Sequence, residues 1–542
     1  MPIYNAPIQD MKFILNDVFN AADFWQKNEQ LAHVDSDTVN MILEEMSKFA
    51  KNTLLPINRS GDEEGAQYLG EGKVKTPTGF KAAFDEYAQG GWIGLGGDPN
   101  HGGQGMPKMV TMLAEEMVFT ANQSFALYPN LSGGACMCIY NAGSEEQKQT
   151  YLEKIYSGEW TGTMCLTEPH AGTDLGIIKT KAVPNQDGSY NITGTKIFIT
   201  AGEHDLADNI IHLVLAKTPD APAGSKGISL FIVPKFHVNA DGSLGERNAA
   251  SCGSIEHKMG IKASATCVMN FDGAKGFMVG AENTGLASMF IMMNYERLTM
   301  GLQGIGGAEL AYQNATAYTL DRIQGRADSG IQEPNKAADP IVFHADVRRM
   351  LLNAKTISEA SRCFAMYVAK ELDTNKYTDD AAARKAADDR VALLTPVAKA
   401  FLTDRGLEAS IDAQQCFGGH GYIREWGMEQ IVRDTRISQI YEGTNGIQSL
   451  DLLGRKVVKN GGAFVTTYVQ EMRDFANNMN ADHAIKQAIL TSADKLEDLT
   501  KAVVAAAAVN KDEINGCAVD YLQAFGYVSF AYMFGLMVEA AN

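Results

Sequence analysis

Hydrophobic positions along this chain follow two periods, and the switch between them divides it. Between Asp10 and about Gly158 they recur at helical spacing. Val39, Ile42, Leu43, Met46 and Phe49 share one face, and Phe80, Phe84 and Tyr87 share another before Gly90-Gly91 stops the run. A helix is predicted over 109–119, and Gly143-Ser-Glu-Glu-Gln-Lys supplies an N-cap with an acidic first turn for a helix through Ile155. At Thr161 the period shortens. Runs rich in β-branched and aromatic residues at 161–165, 190–193, 196–200, 210–216, 228–233 and 266–271, separated by Asp-Gly and Pro turns, predict a compact β-barrel or sandwich. From Ala287 the helical period returns, with a Gly/Pro/Asp/Asn loop over 325–340 and helices over 344–372, 379–414 and 427–431. Beyond Gly454, amphipathic helices are predicted over 464–477 and 484–509, then a mostly apolar one over 519–541, read as buried against the main body or a partner subunit. The class is α+β, mainly helical, in four parts: 1–158, 159–280, 281–453 and 454–542.

At 542 residues the chain has ample material for several cores, and 45% hydrophobic with 21% charged residues is ordinary for a globular protein. The net charge of −18 argues against a general basic face for nucleic acid or anionic lipid. The eight cysteines lack paired C-x-x-C spacing, which signals neither a metal site nor a disulfide framework and fits a cytoplasmic protein. Met1 to Asp17 does not read as a signal peptide. The longest apolar stretch, Phe525 to Val538, falls short of a membrane span.

Chemistry concentrates near the C-terminal third. Gln415-Cys-Phe-Gly-Gly-His-Gly-Tyr-Ile-Arg424 is followed by Asp434-Thr-Arg-Ile-Ser-Gln-Ile-Tyr-Glu-Gly-Thr-Asn-Gly-Ile-Gln448, which puts the carboxylate of Glu442 on a Gly-Thr turn at the end of an apolar run. With Ile437, Ile440, Tyr441, Ile447 and Leu450 as the buried side, desolvation raises its pKa toward that of a usable base. The other reading is a cap on the following helix, or a pair with Arg436. The strand region adds Met164-Cys-Leu-Thr-Glu-Pro-His-Ala-Gly-Thr-Asp174 and Gly194-Thr-Lys-Ile-Phe-Ile-Thr-Ala-Gly202, which offer backbone N–H groups and hydroxyls to an anion or a heterocycle edge. Lys258-Met-Gly-Ile-Lys-Ala-Ser264, Tyr295-Glu-Arg-Leu298 and Tyr318-Thr-Leu-Asp-Arg-Ile-Gln324 complete the series. The glycine-rich loop from Gly94 to Gly105 lacks a dinucleotide fingerprint and reads as tight packing.

In order and spacing, from about Gly90 to Leu453, this series resembles the acyl-CoA dehydrogenase flavoprotein family. The resemblance implies an N-terminal helical domain, a central β domain, a C-terminal four-helix domain and, here, an added helical extension. It implies FAD bound without a Rossmann fold. Met164, Leu166, Thr167 and Thr173 would line the flavin, Phe198 and Thr200 would face its ring, and Thr444 would lie beside it. Arg322, Gln324, Gln415, Gly418 and Gly419 would hold the pyrophosphate and adenosine end. Arg297 would lie beside the acyl-CoA, with Asn294, Tyr441 and Gly443 as further substrate contacts. Glu442 falls on the family's catalytic base, which takes the α-proton of an acyl thioester while the β-hydrogen leaves as hydride to the flavin. Glu296 occupies the position that a minority of the family uses instead. Two positions depart from the pattern: Gly325 replaces a usual phenylalanine and Gly446 a usual polar flavin contact.

The segment Tyr4-Asn-Ala-Pro-Ile-Gln-Asp-Met-Lys-Phe13 and the helices after Gly454 look like the larger bacterial branch that includes 3-methylmercaptopropionyl-CoA dehydrogenases. That implies 3-(methylthio)propanoyl-CoA as substrate and a role in DMSP catabolism; the family resemblance implies electron transfer flavoprotein as acceptor, and in relatives with such added helices these can occupy the surface that pairs dimers into tetramers, which implies a homodimer. Competing readings are a short- or medium-chain acyl-CoA dehydrogenase, a flavin oxidase or monooxygenase on the same fold, and a noncatalytic scaffold.

Overall fold

The computed structural model describes residues 2–480 and 483–542. Helices α1 (Ile8–Lys12), α2 (Ala21–Gln26), α3 (Ser36–Phe49), α4 (Leu55–Glu64), α5 (Phe80–Gln89), α6 (Lys108–Ala121), α7 (Gln123–Ala142) and α8 (Glu145–Tyr156) occupy the first part. Between α4 and α5 lies a hairpin of β1 (Gln67–Gly70) and β2 (Lys73–Lys75), in a region whose pattern reads as helical. Its reason is local: Gly65, Gly70, Glu71 and Gly72 all adopt positive φ, which a helix does not accommodate. Strands β3 (Trp160–Cys165), β4 (Lys181–Pro184), β5 (Tyr190–Thr200), β6 (Asn209–Ala216), β7 (Ser229–Pro234), β8 (Phe236–Val238), β9 (Leu244–Arg247), β10 (Ala250–Ile255) and β11 (Thr266–Val279) follow. The C-terminal part holds α9 (Gly285–Asp321), α10 (Ala345–Tyr377), α11 (Ala381–Cys416), α12 (Met428–Arg436), α13 (Asn445–Leu450), α14 (Ala463–Asn478), α15 (His483–Val509) and α16 (Asp512–Ala541).

The chain forms two compact units. One comprises Asn52–Met106 and Asn122–Glu296; the other comprises Met1–Lys51, Pro107–Ala121 and Arg297–Asn542. The first carries the main sheet, in the order β3-β6-β7-β11-β5-β4, with β10 beside β11. Among the paired strands of the described residues, only β3 and β6 run parallel. Both faces of β6 and β7 are buried, which is why those runs are continuously apolar rather than alternating. The expected break at Gly194 is instead a close approach inside one strand, β5: a Cβ there would lie 2.4 Å from Thr180 Oγ1. Helix α8 starts with Ser144 as N-cap and Glu145 and Glu146 in its first turn, as expected, and Gln147 completes a capping box with Ser144. The Gly94–Gly105 loop is packed so closely that a Cβ on Gly103 would meet the backbone of Gly97 at 2.1 Å.

The second unit is helical. Its core pairs α10 with α11 along most of their lengths and seats α6 on α10. Arg362 on α10 is fully buried and paired with Glu116 (2.6 Å) and Glu309 (3.0 Å), a charge cluster inside the core. By length and composition α16 is apolar enough to cross a membrane, but it lies against α10, α11, α13 and α15 and buries Tyr521, Leu522, Phe525, Phe530 and Met533. Seven cysteines are buried, Cys517 is half-buried, and all eight are free thiols.

Candidate active site

The chain leaves α12 at Arg436, passes through a single 3-10 turn at Ile437–Gln439, and reverses at Glu442 and Gly443. Both residues are left-handed, with φ of 55° and 83°. Glycine is required at 443 on two counts, since a Cβ there would also sit 2.5 Å from the Gln448 amide. For Glu442 the conformation is strained, and it persists because the surroundings fix it. Gln448 Nε2 donates to the Glu442 carbonyl at 3.1 Å, and Lys399 Nζ, on α11, donates to the Gly443 carbonyl at 2.7 Å. Lys399 also reaches Asn445 Oδ1 at 2.9 Å.

The expected apolar wall is different from that read in the sequence. Ile440 is 48% exposed, and Ile437, Tyr441, Ile447 and Leu450 are only half-buried, because the turn at 437–439 breaks any single helical face. Tyr441 is oriented by a 2.6 Å hydrogen bond to Gln303 Oε1. Burial nevertheless dominates at the carboxylate and raises Glu442 to about 7, opposed by the positive charges of Lys399 and Arg297. The same burial lowers Lys399 to about 7. Thr444, not Glu442, caps the following helix by accepting from the Ile447 N–H at 3.3 Å, and Arg436 is not among the charges that act on the carboxylate. The capping and Arg436 readings therefore fall away.

Arg297, at the start of the second unit's share of α9, is buried and pairs with Asp451 at 3.5 Å. Arg322 and Gln324 are exposed where α9 ends, and Gln415, Gly418 and Gly419 are exposed where α11 ends. These two ends meet: Tyr318 stacks on Phe417 with centroids 4.1 Å apart and its hydroxyl lies 2.9 Å from His420 Nδ1. A Cβ on Gly418 or Gly419 would meet nothing within 4 Å, so the space beside these two glycines is open. Gly325 replaces phenylalanine where the backbone turns left-handed at φ 65°.

In the first unit, Met164, Leu166 and Thr167 lie at the end of β3, and the Thr167 carbonyl accepts from the Ile197 N–H of β5 at 2.9 Å. This joins them to Phe198 and Thr200. Phe198 has φ 58° within a strand and is 59% exposed, an aromatic ring turned out of the sheet beside hydroxyls and backbone amides. Below it Lys196 is fully buried and bonded to Glu168 at 2.9 Å and to the Leu166 carbonyl at 3.0 Å. Glu168 also accepts from the N–H groups of Lys179 and Thr180 and from the Thr180 hydroxyl, which fixes the loop after β3. Thr173 is exposed on that loop. Asn294 is exposed on α9, and Glu296 is buried with its carboxylate accepting from Asn130 and lying against Gly134. An exposed aromatic two residues from Thr200 in the same strand, and an exposed arginine together with two open glycines, are groups of the kind that can face a flavin ring and accommodate a diphosphate.

Lys399, Asn445 and Asp404 carry no motif signal of their own as site residues. The one signal in the sequence is a lone lysine inside the apolar run Leu393-Leu-Thr-Pro-Val-Ala-Lys-Ala-Phe-Leu402. A buried lysine must be paired or deprotonated, so such a residue marks a polar partner elsewhere in the fold.

Family comparisons give the same picture over nearly the whole chain. The models for the acyl-CoA dehydrogenase N-terminal, middle and C-terminal domains match residues 36–159, 163–274 and 283–457, and an acetyl-CoA dehydrogenase C-terminal-like domain matches 468–542. A 3-methylmercaptopropionyl-CoA dehydrogenase from Ruegeria pomeroyi is 40% identical over 99% of this chain and 91% of its own length. This chain belongs to the acyl-CoA dehydrogenase family. A butyryl-CoA dehydrogenase from Syntrophomonas wolfei is 37% identical over 87% of this chain and 78% of its own. Among solved structures, an acyl-CoA dehydrogenase from Bacillus anthracis complexed with FAD shares the fold at a TM-score of 0.74. It is 23% identical and covers 93% of this chain and 82% of its own. As a member of the acyl-CoA dehydrogenase family the protein is an FAD-dependent oxidoreductase acting on an acyl-CoA, and the two sets of residues described above fit that cofactor.

Proposed function

We propose that this acyl-CoA dehydrogenase oxidises 3-(methylthio)propanoyl-CoA to the α,β-unsaturated thioester, with Glu442 as the base. The observation that carries the base assignment is a desolvated carboxylate on a strained turn with its pKa raised to about 7. A base of that pKa is ionised in useful proportion at neutrality and still strong enough to take a weakly acidic α-proton. The Glu442 backbone N–H, which has no acceptor within the chain among the described residues, is free to bond the thioester carbonyl and support the charge that develops there. Lys399 holds the Gly443 carbonyl, and Arg297 contributes positive charge beside the carboxylate. FAD, when bound, supplies the acceptor for the β-hydride. Its ring would be held by Phe198, Thr200 and the Met164–Thr167 segment, and its diphosphate and adenosine end by Arg322, Gln324, Gln415 and the 418–419 glycines, with Thr444 and Thr173 as further contacts.

Similarity to the Ruegeria pomeroyi enzyme over almost the full length supports the methylthio substrate, and the Syntrophomonas wolfei enzyme favours butyryl-CoA as the second reading. Anaerobic flavin reduction by a panel of acyl-CoAs separates them. The methylthio compound should give the highest kcat/KM, and a clear preference for butyryl-CoA would replace it. Electron transfer flavoprotein as acceptor and a homodimer complete the proposal.

The ionisation state sets a pH dependence. Protonated Glu442 cannot accept a proton, so kcat/KM should rise with pH through about 7 and level off above it. Because Lys399 titrates against the same carboxylate, the midpoint belongs to the pair. A pH series of initial rates checks this, and a flat profile down to the ordinary carboxylate range would contradict it.

A further inference from the structure

The turn that carries Glu442 is held from a direction that the reaction chemistry does not require. Asn445, three residues after Glu442, donates through its side-chain amide to Asp404 Oδ1 at 2.7 Å, to Thr403 Oγ1 at 3.0 Å and to the Ala400 carbonyl at 3.1 Å. Its oxygen accepts from Lys399. Gln439, three residues before Glu442, donates to the same Asp404 Oδ1 at 2.7 Å. One carboxylate on α11 therefore ties both flanks of the turn. Its other oxygen is taken by Gln523, which donates from α16 at 2.6 Å.

Helix α16 is fitted to this position. It packs on α13, the helix that the turn launches, and on α11. Gly526, one turn after Gln523, lies so close to Phe401 that a Cβ would fall 2.3 Å from its ring. Tyr527 and Phe530 meet the same ring edge-on at 5.1 and 4.9 Å. Phe401 sits between Lys399 and Asp404 on α11, so the extension clamps the stretch of helix from which both supports of the turn arise.

We infer that the C-terminal helix α16 is a functional part of the active site's support: Gln523, Asp404 and Lys399 are positioning residues that hold the Glu442–Thr444 turn in register. The inference rests on Glu442 being the base. A loss of alignment of about 1 Å at a reacting group can cost on the order of 10²-fold in rate, so removing one of several ties is expected to cost less, about tenfold. The charged groups that bear on the carboxylate are Lys399 on α11 and Arg297 on α9. Asp404 acts on Lys399, and Asp451 and Arg455 act on Arg297.

The test uses the full-length flavin-loaded enzyme with 3-(methylthio)propanoyl-CoA and butyryl-CoA, whichever is turned over faster. Gln523→Leu should lower kcat about tenfold with KM within about twofold, while flavin content and melting temperature stay near the parent's. Lys399→Met should shift the acid limb of kcat to higher pH, because the cation that favours the ionised carboxylate is gone. If Gln523→Leu does not fold, Asp404→Asn decides the matter on the same kcat and KM criteria, since it preserves volume and replaces an acceptor oxygen by a donor. A folded Gln523→Leu enzyme with kcat within twofold of the parent, or an unmoved acid limb in Lys399→Met, overturns the inference. Glu442→Gln is run alongside. If that variant is as active as the parent, the base assignment itself has failed; if it is inactive while the positioning variants behave like the parent, only the positioning role has.

Discussion

Glu442→Gln is expected to lower kcat by at least about 10³-fold while the purified protein stays yellow and folded. The carboxamide keeps the volume of the side chain and the left-handed backbone of the turn, so Lys399 still holds the Gly443 carbonyl and Gln448 the Glu442 carbonyl. What is lost is the proton acceptor. General-base contributions of about 10²- to 10⁴-fold are usual, and the upper part of that range applies here because desolvation raises this carboxylate to about 7, where it is a stronger base than an ordinary one. The substitution removes a buried negative charge, which leaves Lys399 and Arg297 facing each other without their shared counter-ion. Some loss of stability is therefore expected as well, and a melting curve measured beside the rate separates the two effects.

The second large effect is on cofactor retention. Lys196→Met should destabilise the sheet unit by about 3–5 kcal/mol and yield protein that loses its flavin on dilution. Lys196 has no exposed surface, and its ammonium satisfies both Glu168 and the Leu166 carbonyl. Burial works against the charge on each partner. Even so, Lys196 and the hydrogen bonds from residues 179 and 180 hold the Glu168 carboxyl below its ordinary range. Removing the cation strands that carboxylate in the interior, and relief comes by opening the loop that runs from Glu168 to Thr180. The Met164–Thr167 segment lies directly before this loop, and Phe198 follows Lys196 by two residues, so both segments proposed to contact the flavin move. Flavin absorbance after gel filtration, compared with the parent, measures the outcome; a fully flavin-loaded variant of parental stability would show that the pair is dispensable.

The sequence makes the outline of the fold readable because its signals are local. Alternation or continuous apolar runs mark β3, β6 and β7, and Ser144 with Gln147 marks the start of α8. The hairpin of β1 and β2 is hidden because the helical face on either side of it dominates the pattern, while the deciding feature is four positive-φ positions within eight residues, Gly65, Gly70, Glu71 and Gly72. The runs at 190–193 and 196–200 read as separate strands because a glycine inside a strand run is ambiguous until the neighbour it admits, Thr180, is known. At the site, Glu442 was legible from its place on a Gly-Thr turn, yet the reason expected for its desolvation was wrong in detail: Ile440 faces outward. The charges that tune the carboxylate come from Lys399, 43 positions earlier, and Arg297, 145 positions earlier. The tie to Gln523 spans 119 residues. Contacts of that range leave no periodic trace, and a single buried lysine or glutamine in a helix reads the same whether its partner is functional or not.

Glu296 is the rival to Glu442, and the two carboxylates are differently placed. Glu296 is enclosed and bonded to Asn130 of α7, whereas Glu442 is partly accessible on a strained turn between two cations. The most direct measurement is therefore a single-turnover, anaerobic comparison of the parent, Glu442→Gln and Glu296→Gln, following loss of flavin absorbance after mixing with 3-(methylthio)propanoyl-CoA. The account predicts rapid bleaching by the parent, bleaching by Glu296→Gln within about tenfold of it, and a rate for Glu442→Gln lower by about 10³-fold or more. Rapid bleaching by Glu442→Gln together with loss in Glu296→Gln would contradict it and move the base to the earlier helix.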